Sequence, residues 1–266
     1  MVTAIGALIF TGVSIQQVRL QNEVAESGQV TDRFNAAIGN LASDSTDIRL
    51  GGIYALKRLM HDSPRDQPEI VTVLAAYIRG HDRPLKKRPS LLELDTAKNT
   101  SGVSLHLVPD DVEAAVRVIA DRDPDNDGMA HRGLVAPAVD LSGAHLEGID
   151  LSDASFEFAN FSGAHLDYAR LRDVDLTAAN FDDASLRHTD LGFSDISYAS
   201  FRESQLGESE FDYTQAKGAD FSGAISAHFA LESKDIREAY FVRTDLCQDG
   251  TPKFPKRNYR CREHLT

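Results

Sequence analysis

From Leu141 onward the chain reads LSGAHLEGIDLSDASFEFANFSGAHL, with a large apolar residue at every fifth position. An α-helix repeats its faces every 3.6 residues and a β-strand every two, so neither element accounts for a period of five. Self-similarity at a fixed short period indicates a repeat architecture whose units stack on one another. The period is unbroken for fifteen pentads, whose central residues, the predicted core, are Leu141, Leu146, Leu151, Phe156, Phe161, Leu166, Leu171, Leu176, Phe181, Leu186, Leu191, Ile196, Phe201, Leu206 and Phe211.

The residue two positions before each centre is small or β-branched, most often alanine, as at Ala144, Ala159 and Ala164. This pattern is typical of a chain that turns a corner every five residues and has no room there for a larger side chain. Four pentads would make one coil, and coils would stack as parallel β-ladders that satisfy the backbone N–H and C=O groups. The central side chains would fill the axis, each contributing about 1.5 to 3 kcal/mol when fully buried.

The stretch AHLEGIDLSDASFEFANFSGAHLDYARLRDVDLTAANF resembles the pentapeptide repeat family, whose motif is Ala, then Asp or Asn, then Leu or Phe, then two variable residues. The resemblance implies a right-handed quadrilateral parallel β-helix over residues 139–246, with a weaker motif after residue 226. The expected fold class is therefore mainly β, a solenoid preceded by a small all-α region. The segment DIRLGGIYALKRL and the apolar N-terminus also resemble actinobacterial pentapeptide repeat proteins with an N-terminal membrane segment.

Composition and helical periodicity indicate how the rest of the chain is organised. Apolar residues at helical spacing predict three helices between residues 31 and 81 and another at residues 110–122, with Thr31 and Asp110 as N-caps of the first and the last. The last helix is expected to cover the first coil of the repeats. The predicted organisation is an apolar segment 1–18, a helical region 19–121 with a mobile loop at about 80–108, a connector 122–138, the repeat β-helix 139–246 and a basic tail 247–266.

Residues 1–18 contain no charged side chain and would span about 26 Å as a helix, slightly less than the roughly 30 Å hydrocarbon core of a bilayer. They predict a membrane helix, truncated at one end, and the alternative is an amphipathic or buried soluble helix. With a membrane helix, the protein would lie at the bacterial cell membrane with its repeats in the cytoplasm. With a soluble helix, the whole protein would be cytoplasmic. Cys247 and Cys261 are too few for a disulfide framework, which favours a reducing compartment, although pairing between them stays open.

The repeats argue against an enzyme, because an axis filled by Leu, Ile, Phe and Ala leaves no concave pocket. No catalytic, cofactor or metal motif stands out elsewhere, so none is predicted. The run Asp123 to Gly128 imitates the start of a calcium loop, but Leu134 stands where the bidentate glutamate belongs, which favours a plain turn. His145 and His165 are expected about 5 Å apart on adjacent coils and, without a third ligand, are interpreted as surface residues.

The net charge of −13 is concentrated in the repeats, because residues 139–246 carry −13 while the segments before and after carry −3 and +3. One net charge per about 2 Å of solenoid approaches the one per about 1.7 Å of duplex DNA, so direct nucleic-acid binding is not expected. Members of the resembled family that bind type II topoisomerases act as DNA mimics, which makes DNA gyrase a candidate partner. The charge is nevertheless spread over four columns of the first eighteen pentads as −4, −2, −4 and −2, and acidity also keeps such a rod soluble.

One column carries exposed aromatic residues, since Phe193 and Tyr213 occupy the same pentad position one coil apart, flanked by Asp190, Glu210 and Asp212. Aromatic side chains beside acids are typical anchors for a protein partner, and the alternative is that the two rings stack and shield the ladder. These features predict a non-enzymatic interaction or scaffold module, displayed near the membrane, with an unidentified protein partner. The alternative is a DNA mimic that binds gyrase and modulates it or protects it from inhibitors.

Overall fold

A computed structural model describes residues 27–81, 108–128 and 139–225, together with residues 17, 21 and 25 and the pairs 247–248 and 251–252. Most of the predicted membrane segment, most of the predicted loop, the last predicted pentads and Cys261 lie outside the described residues. Within these described ranges, no helix has both the length and the apolar character needed to cross a bilayer. Contacts between Cα atoms divide the chain into two units, Met1–Asp66 and Gln67–Thr266.

Helices precede the repeats and a short hairpin follows them. The helices are α1 over residues 27–41, α2 (Thr46–Asp62), α3 (Gln67–His81) and α4 (Asp110–Ala120), with single 3-10 turns at Pro64–Asp66 and Pro124–Asp127. The hairpin pairs strand β1 (Cys247–Gln248) with strand β2 (Thr251–Pro252) in antiparallel register.

In the first unit, α1 and α2 approach closely at Gly52. A Cβ atom added there would lie 2.8 Å from the carbonyl oxygen of Ala37, so only glycine fits without a shift. Arg33 donates a 2.8 Å hydrogen bond to the carboxylate of Asp62. That hydrogen bond holds the pKa of Asp62 below its usual value.

Both helix caps predicted from the sequence are wrong. Helix α1 already runs through Thr31, whose hydroxyl donates to the carbonyl oxygen of Ser27 at 3.0 Å instead of accepting from a later N–H. Helix α4 begins at Asp110 itself, and Pro109 occupies the N-cap position. Acidic residues are favoured both at the N-cap and in the first turn of a helix, so the sequence signal does not separate the two positions for Asp110.

In the second unit, α3 and α4 pack against each other through their apolar faces. Ile70, Leu74 and Ile78 of α3 and Val112 and Val116 of α4 are fully buried, at the helical spacing that the sequence shows. Burial of this kind, more than helix propensity, stabilises helices as short as these.

The repeats form a β-helix solenoid with four pentads in each coil. Fourteen parallel bridges, from Asp140–Asn160 to Gln205–Ile225, each join residues that are twenty positions apart. Each bridge is a single residue pair and not a continuous strand, because the chain turns again within five residues. Residues 139–225 therefore make just over four coils. The right-handed sense and square section implied by the resemblance stay predictions.

Successive coils are joined by the same backbone hydrogen bonds in every pentad. The Leu141 N–H donates to the Asn160 carbonyl oxygen, and the Asn160 N–H donates to the Val139 carbonyl oxygen, each at 2.8 Å. The Gly143 N–H donates to the Ser162 carbonyl oxygen, also at 2.8 Å. In a pentad that has a coil on either side, three of the five N–H groups are thus satisfied by the neighbouring coils.

In pentads such as that of Leu141, the two remaining N–H groups are satisfied locally. The Ala144 N–H donates to the Leu141 carbonyl oxygen at 3.1 Å and closes the turn. The Ser142 N–H donates to the Asp140 side chain at 3.2 Å, which explains the preference for Asp or Asn before the central residue. The same side-chain acceptor recurs at Asp150, Asn160, Asp175, Asn180, Asp190, Asp195 and Asp220.

Each corner residue, two positions after a centre, has a positive φ. Twelve of these residues are not glycine, including Phe158 at 57° and Tyr198 at 61°. The left-handed conformation costs roughly 1–2 kcal/mol at a residue with a side chain, so other interactions must hold it. A ladder hydrogen bond does so here, as when the Tyr198 N–H donates to the Lys217 carbonyl oxygen at 2.7 Å.

The axis of the solenoid is filled by the central side chains. All fifteen predicted core residues are at most 1% exposed. One column contains a stack of phenylalanines, Phe161, Phe181, Phe201 and Phe221, with ring centroids 4.8–4.9 Å apart and nearly parallel planes. The spacing of the coils therefore equals the stacking distance of their rings.

Five serine and threonine residues replace the usual alanine beside the core. Their hydroxyl groups are buried but donate to backbone carbonyl oxygens, as Thr189 does to Leu166 at 2.8 Å and Thr214 to Leu191 at 2.9 Å. Over the described ranges no buried side-chain nitrogen or oxygen lacks a hydrogen-bond partner. The core thus tolerates a hydroxyl wherever a carbonyl oxygen is within reach.

Two arginines close the N-terminal end of the solenoid. The residue before each centre forms the bridge, and in every later coil its carbonyl oxygen accepts a hydrogen bond from an N–H group of the preceding coil. The first described coil has no preceding coil within the described residues. Arg79 of α3 donates to the Asp140 carbonyl, and Arg122 donates to the Ser155 carbonyl at 2.7 Å. The Arg122 side chain, 1% exposed, also forms a 2.9 Å ion pair with Asp127. This helical segment therefore caps the first coil, as a solenoid end requires.

The run that imitates a calcium loop is used within the fold. The Asp123 side chain accepts a hydrogen bond from the Asp125 N–H at 3.1 Å and begins a 3-10 turn. Asp127 accepts from Gln67 at 2.8 Å in addition to its ion pair with Arg122. These carboxylates hold a turn against the helices.

Two adjacent alanines give opposite predictions for glycine substitution. Ala178 is a corner residue with φ of 56°, so Ala178→Gly should relieve the strain and raise the free energy of unfolding by about 0.5–1 kcal/mol. Ala179 is buried beside the core, so the control Ala179→Gly should lower it by about 1 kcal/mol. Chemical denaturation of the full chain measures both, and effects of the same sign would contradict the corner geometry.

Candidate interaction surface

All five predicted surface residues lie on one face, over two successive coils. Asp190 and Glu210 form one bridge of the ladder, and the Phe193 N–H donates to the Asp212 carbonyl oxygen at 2.8 Å. The rings of Phe193 and Tyr213 stack with centroids 4.9 Å apart and planes at 17°. The two residues remain 46% and 72% exposed. The rings therefore stack on each other and still present a surface to solvent.

Arg172 joins the acidic and aromatic parts of this face. Its guanidinium carbon lies 4.9 Å from the centroid of the Phe193 ring, and its Nη1 atom lies 3.1 Å from the Asp190 carboxylate. The hydrogen bond to Asp190 raises the pKa of Arg172. Gly192 makes room for the guanidinium, since an added Cβ would lie 2.9 Å from Nη1. From the sequence alone, Arg172 only interrupts the acidic field.

A register rule relates such contacts along the solenoid. The side chain of the residue after a centre reaches the side chain of the residue before the corresponding centre of the next coil. The two residues lie on the same face and are eighteen positions apart. The pairs that follow this rule are Arg172–Asp190, Arg202–Asp220, Arg187–Gln205, Asp167–Ser185 and Asp182–Ser200. A search for complementary side chains at this offset would have found Arg172.

The Arg202–Asp220 pair illustrates the electrostatics of these contacts. The two side chains approach to 2.6 Å. Burial alone would raise the pKa of Asp220, but hydrogen bonds from Ser222 and Arg202 outweigh it, so the pKa lies below its usual value. The contact thus favours the charged form of an acid that is only partly exposed.

Stacking of corner residues in successive coils occurs on other faces as well. Tyr168 stacks on His188 with centroids 4.6 Å apart, and Tyr168 is buried. Tyr198 lies over Gly218, where an added Cβ would be 2.7 Å from the tyrosine ring, and it remains 59% exposed. Tyr198 is therefore an exposed aromatic residue that stacks on no second ring among the described residues, which suits it as a control for the Phe193–Tyr213 stack.

Comparison with known families identifies the repeats. Residues 138–177 and 154–192 match the family of pentapeptide repeats, with eight copies. Residues 138–192 are therefore pentapeptide repeats. A comparison with curated proteins finds no match.

Solved structures of pentapeptide repeat proteins resemble parts of the chain. One, from the thylakoid lumen of Arabidopsis thaliana, is 29% identical over 37% of this chain and 68% of its own, with a TM-score of 0.28. A second, from Nostoc PCC 7120, is 20% identical over 42% of this chain and 89% of its own, with a TM-score of 0.23. The third, QnrB1, a plasmid-mediated fluoroquinolone resistance protein, is 16% identical over 41% and 72%, with a TM-score of 0.25.

The lowered pKa of Asp220 predicts a pH-dependent contribution to stability. Because the folded-state pKa lies below the unfolded value of about 3.9, the carboxylate stabilises the fold above that pH and loses its effect as the pH falls through the folded pKa. We expect Asp220→Asn to lower the free energy of unfolding by about 1 kcal/mol at neutral pH. The difference from the wild type should shrink below pH 4, as urea denaturation at several pH values would show.

The Arg202→Gln background supplies the control for this measurement. In that background, Asp220→Asn should lower the free energy of unfolding by less, because the charged carboxylate has lost Arg202 and keeps only its hydrogen bonds from Ser222. If the difference in free energy of unfolding between the wild type and Asp220→Asn stayed constant from neutral to acidic pH, the lowered pKa of Asp220 would be contradicted.

Proposed function

We propose that the solenoid is a non-enzymatic protein-interaction module whose binding surface is centred on the Phe193–Tyr213 stack. The exposure of the two rings, 46% and 72%, is the observation that carries the proposal. Stacked rings present a large apolar area whose side-chain entropy is already reduced, which lowers the cost of ordering them in a complex. Aromatic residues of this kind are enriched among those that dominate binding energy.

The charges around the stack indicate the chemistry of the partner. Glu210 and Asp212 are exposed beside the rings, and Asp190 forms an ion pair with Arg172. A complementary surface would place an apolar side chain against the rings and Lys or Arg side chains opposite Glu210 and Asp212. Charges at such a rim mainly set the association rate and the choice of partner, while the rings supply most of the affinity.

The filled axis supports the non-enzymatic part of the proposal. The central side chains of every pentad from Leu141 to Phe221 are at most 1% exposed, so the solenoid holds no internal cleft for a substrate. Catalysis on small molecules needs a concave site with converging polar groups. The chemistry open to the solenoid is therefore recognition by its outer side chains.

Removal of both rings should abolish binding of the partner. The full chain, a Phe193→Ala/Tyr213→Ala variant and a Tyr198→Ala control would each be used to capture cross-linked proteins from the source cell. We expect the same partner with the wild type and the control and at least about a tenfold loss with the double variant, as for hot-spot residues. Equal capture by all three, with equal melting temperatures, would refute the assignment of this surface.

A second candidate, a DNA mimic that binds gyrase, is favoured by charge density. Residues 139–225 hold seventeen Asp and Glu against five Lys and Arg, a net charge of −12. At the 4.9 Å ring spacing they span about 21 Å, so the charge density is close to that of duplex DNA. Against this candidate, the charge is divided among the four faces, and Arg172 and Arg202 neutralise neighbouring acids.

A supercoiling assay separates the two candidates. Under the interaction-module proposal, the full chain at micromolar concentration leaves gyrase supercoiling, and its sensitivity to inhibitors, unchanged. Inhibition or protection that is lost in Glu210→Lys/Asp212→Lys and kept in Tyr198→Ala would instead favour the DNA mimic.

We further propose that residues 1–18 attach the protein to the bacterial membrane, with the repeats in the cytoplasm. The support is the uncharged sequence of this segment. We expect the full chain in the membrane fraction of lysed cells and a chain without residues 1–18 in the soluble fraction, as immunoblotting would show. A full chain found wholly in the soluble fraction would refute the attachment and leave the interaction surface untouched.

A further inference from the structure

Two histidines and a glutamate meet on the first two coils of the solenoid. His145 and His165 form a bridge of the ladder, and their rings stack with centroids 4.2 Å apart and planes at 5°. Glu147 lies two residues after His145 on the same face, with its Oε1 atom 3.4 Å from Nδ1 of His145. From the sequence, the histidine pair is expected without a third ligand. Glu147 is missed there because it lies eighteen residues before His165, the offset that relates Arg172 to Asp190, and not at an equivalent pentad position.

The three side chains are close enough to share one metal ion. One ligand atom from each residue lies within 4.8 Å of the other two. In a tetrahedral zinc site, with metal–ligand distances near 2.0–2.1 Å, ligand atoms are about 3.3 Å apart. An ion would therefore have to draw the ring and carboxylate tips together by up to about 1.5 Å, which requires rotation about the side-chain bonds. Within the part of the chain that the structure describes, this is the only group of three metal-binding side chains so placed.

The backbone beneath these residues is fixed by the ladder. The His165 N–H donates to the Ala144 carbonyl oxygen, and the Leu146 N–H donates to the His165 carbonyl oxygen, each at 2.8 Å. The side chains of His145 and Glu147 are 20% and 19% exposed, so they are partly desolvated and still reachable from solvent. A preformed, accessible ligand set pays little ordering entropy on binding an ion.

The neighbouring acid is engaged elsewhere, which limits the ligand set to three. Asp167 occupies the position of Glu147 on the next coil, and its carboxylate accepts hydrogen bonds from the Ser185 hydroxyl at 2.6 Å and the Arg187 N–H at 2.9 Å. Its negative charge still favours a cation nearby. Two imidazoles and one carboxylate form a ligand set that zinc adopts with a water molecule as the fourth ligand.

We propose that His145, Glu147 and His165 bind a divalent transition metal ion, zinc foremost, which joins the first coil of the solenoid to the second. The ion would replace a contact between two stacked rings with coordination bonds across the ladder. It would stabilise the N-terminal coils by an amount that grows with the logarithm of its free concentration once that concentration exceeds the dissociation constant. The site lies away from the Phe193–Tyr213 stack, so it does not depend on the proposed interaction surface.

Metal titration of the untagged full chain tests the site. After removal of metal with a chelator, calorimetry with Zn²⁺ should show binding that His165→Gln and Glu147→Gln each weaken by at least about tenfold. The matched control is His188→Gln, because His188 also stacks on an aromatic ring and lies 3.3 Å from a glutamate, Glu208, but has no second histidine. The control should bind as the wild type does.

Two further readouts keep the test independent of folding. Co²⁺ in place of Zn²⁺ should give the visible absorption of a four-coordinate ion with the wild type and lose it with His165→Gln. Zinc should raise the melting temperature of the wild type and the His188→Gln control, and not that of the two ligand variants, whose metal-free melting temperatures should match the wild type. Equal zinc affinity in the wild type and His165→Gln, or no binding to the wild type, would overturn the proposal.

Discussion

The backbone hydrogen bonds between residues twenty positions apart are the interaction on which the rest of the structure depends. They satisfy three N–H groups in a pentad that has a coil on either side, and they hold its corner in a left-handed conformation that most side chains disfavour. They also place each side chain directly over the side chain of the same position one coil earlier. Every surface feature described above, from the Phe193–Tyr213 stack to the histidine pair, follows from that alignment.

The periodicity of the sequence was sufficient to predict the core and the register. A residue such as Leu166 is identified as buried because it lies in phase with fourteen others, and a period of five with four sides fixes its neighbours at an offset of twenty. The Asp or Asn before each centre has a physical reason as well, since its side chain accepts the one N–H that the ladder leaves over. The repeat is predictable because the same few interactions determine which residue types each position of a pentad accepts.

The sequence did not predict contacts that depend on side-chain direction. Arg172 reaches Asp190 and the Phe193 ring at an offset of eighteen, which pairs different pentad positions and is invisible to a comparison of equivalent ones. Glu147 lies at the same offset from His165 and approaches both histidines. The helix caps failed for another reason, because α1 already runs through Thr31 and Asp110 is the first residue of α4 instead of its cap.

The alignment of pentads into four faces also constrains how such a chain can change in length. One pentad is a quarter of a coil, so the insertion of five residues between two coils would rotate everything after it by a quarter turn. Phe193 would then no longer stand beneath Tyr213 if the insertion fell between them, although the core would stay apolar throughout. Only a change of twenty residues preserves the faces on both sides of it. The surface of this protein can therefore change by single substitutions, whereas its length can change without disturbing the alignment of the faces only by whole coils.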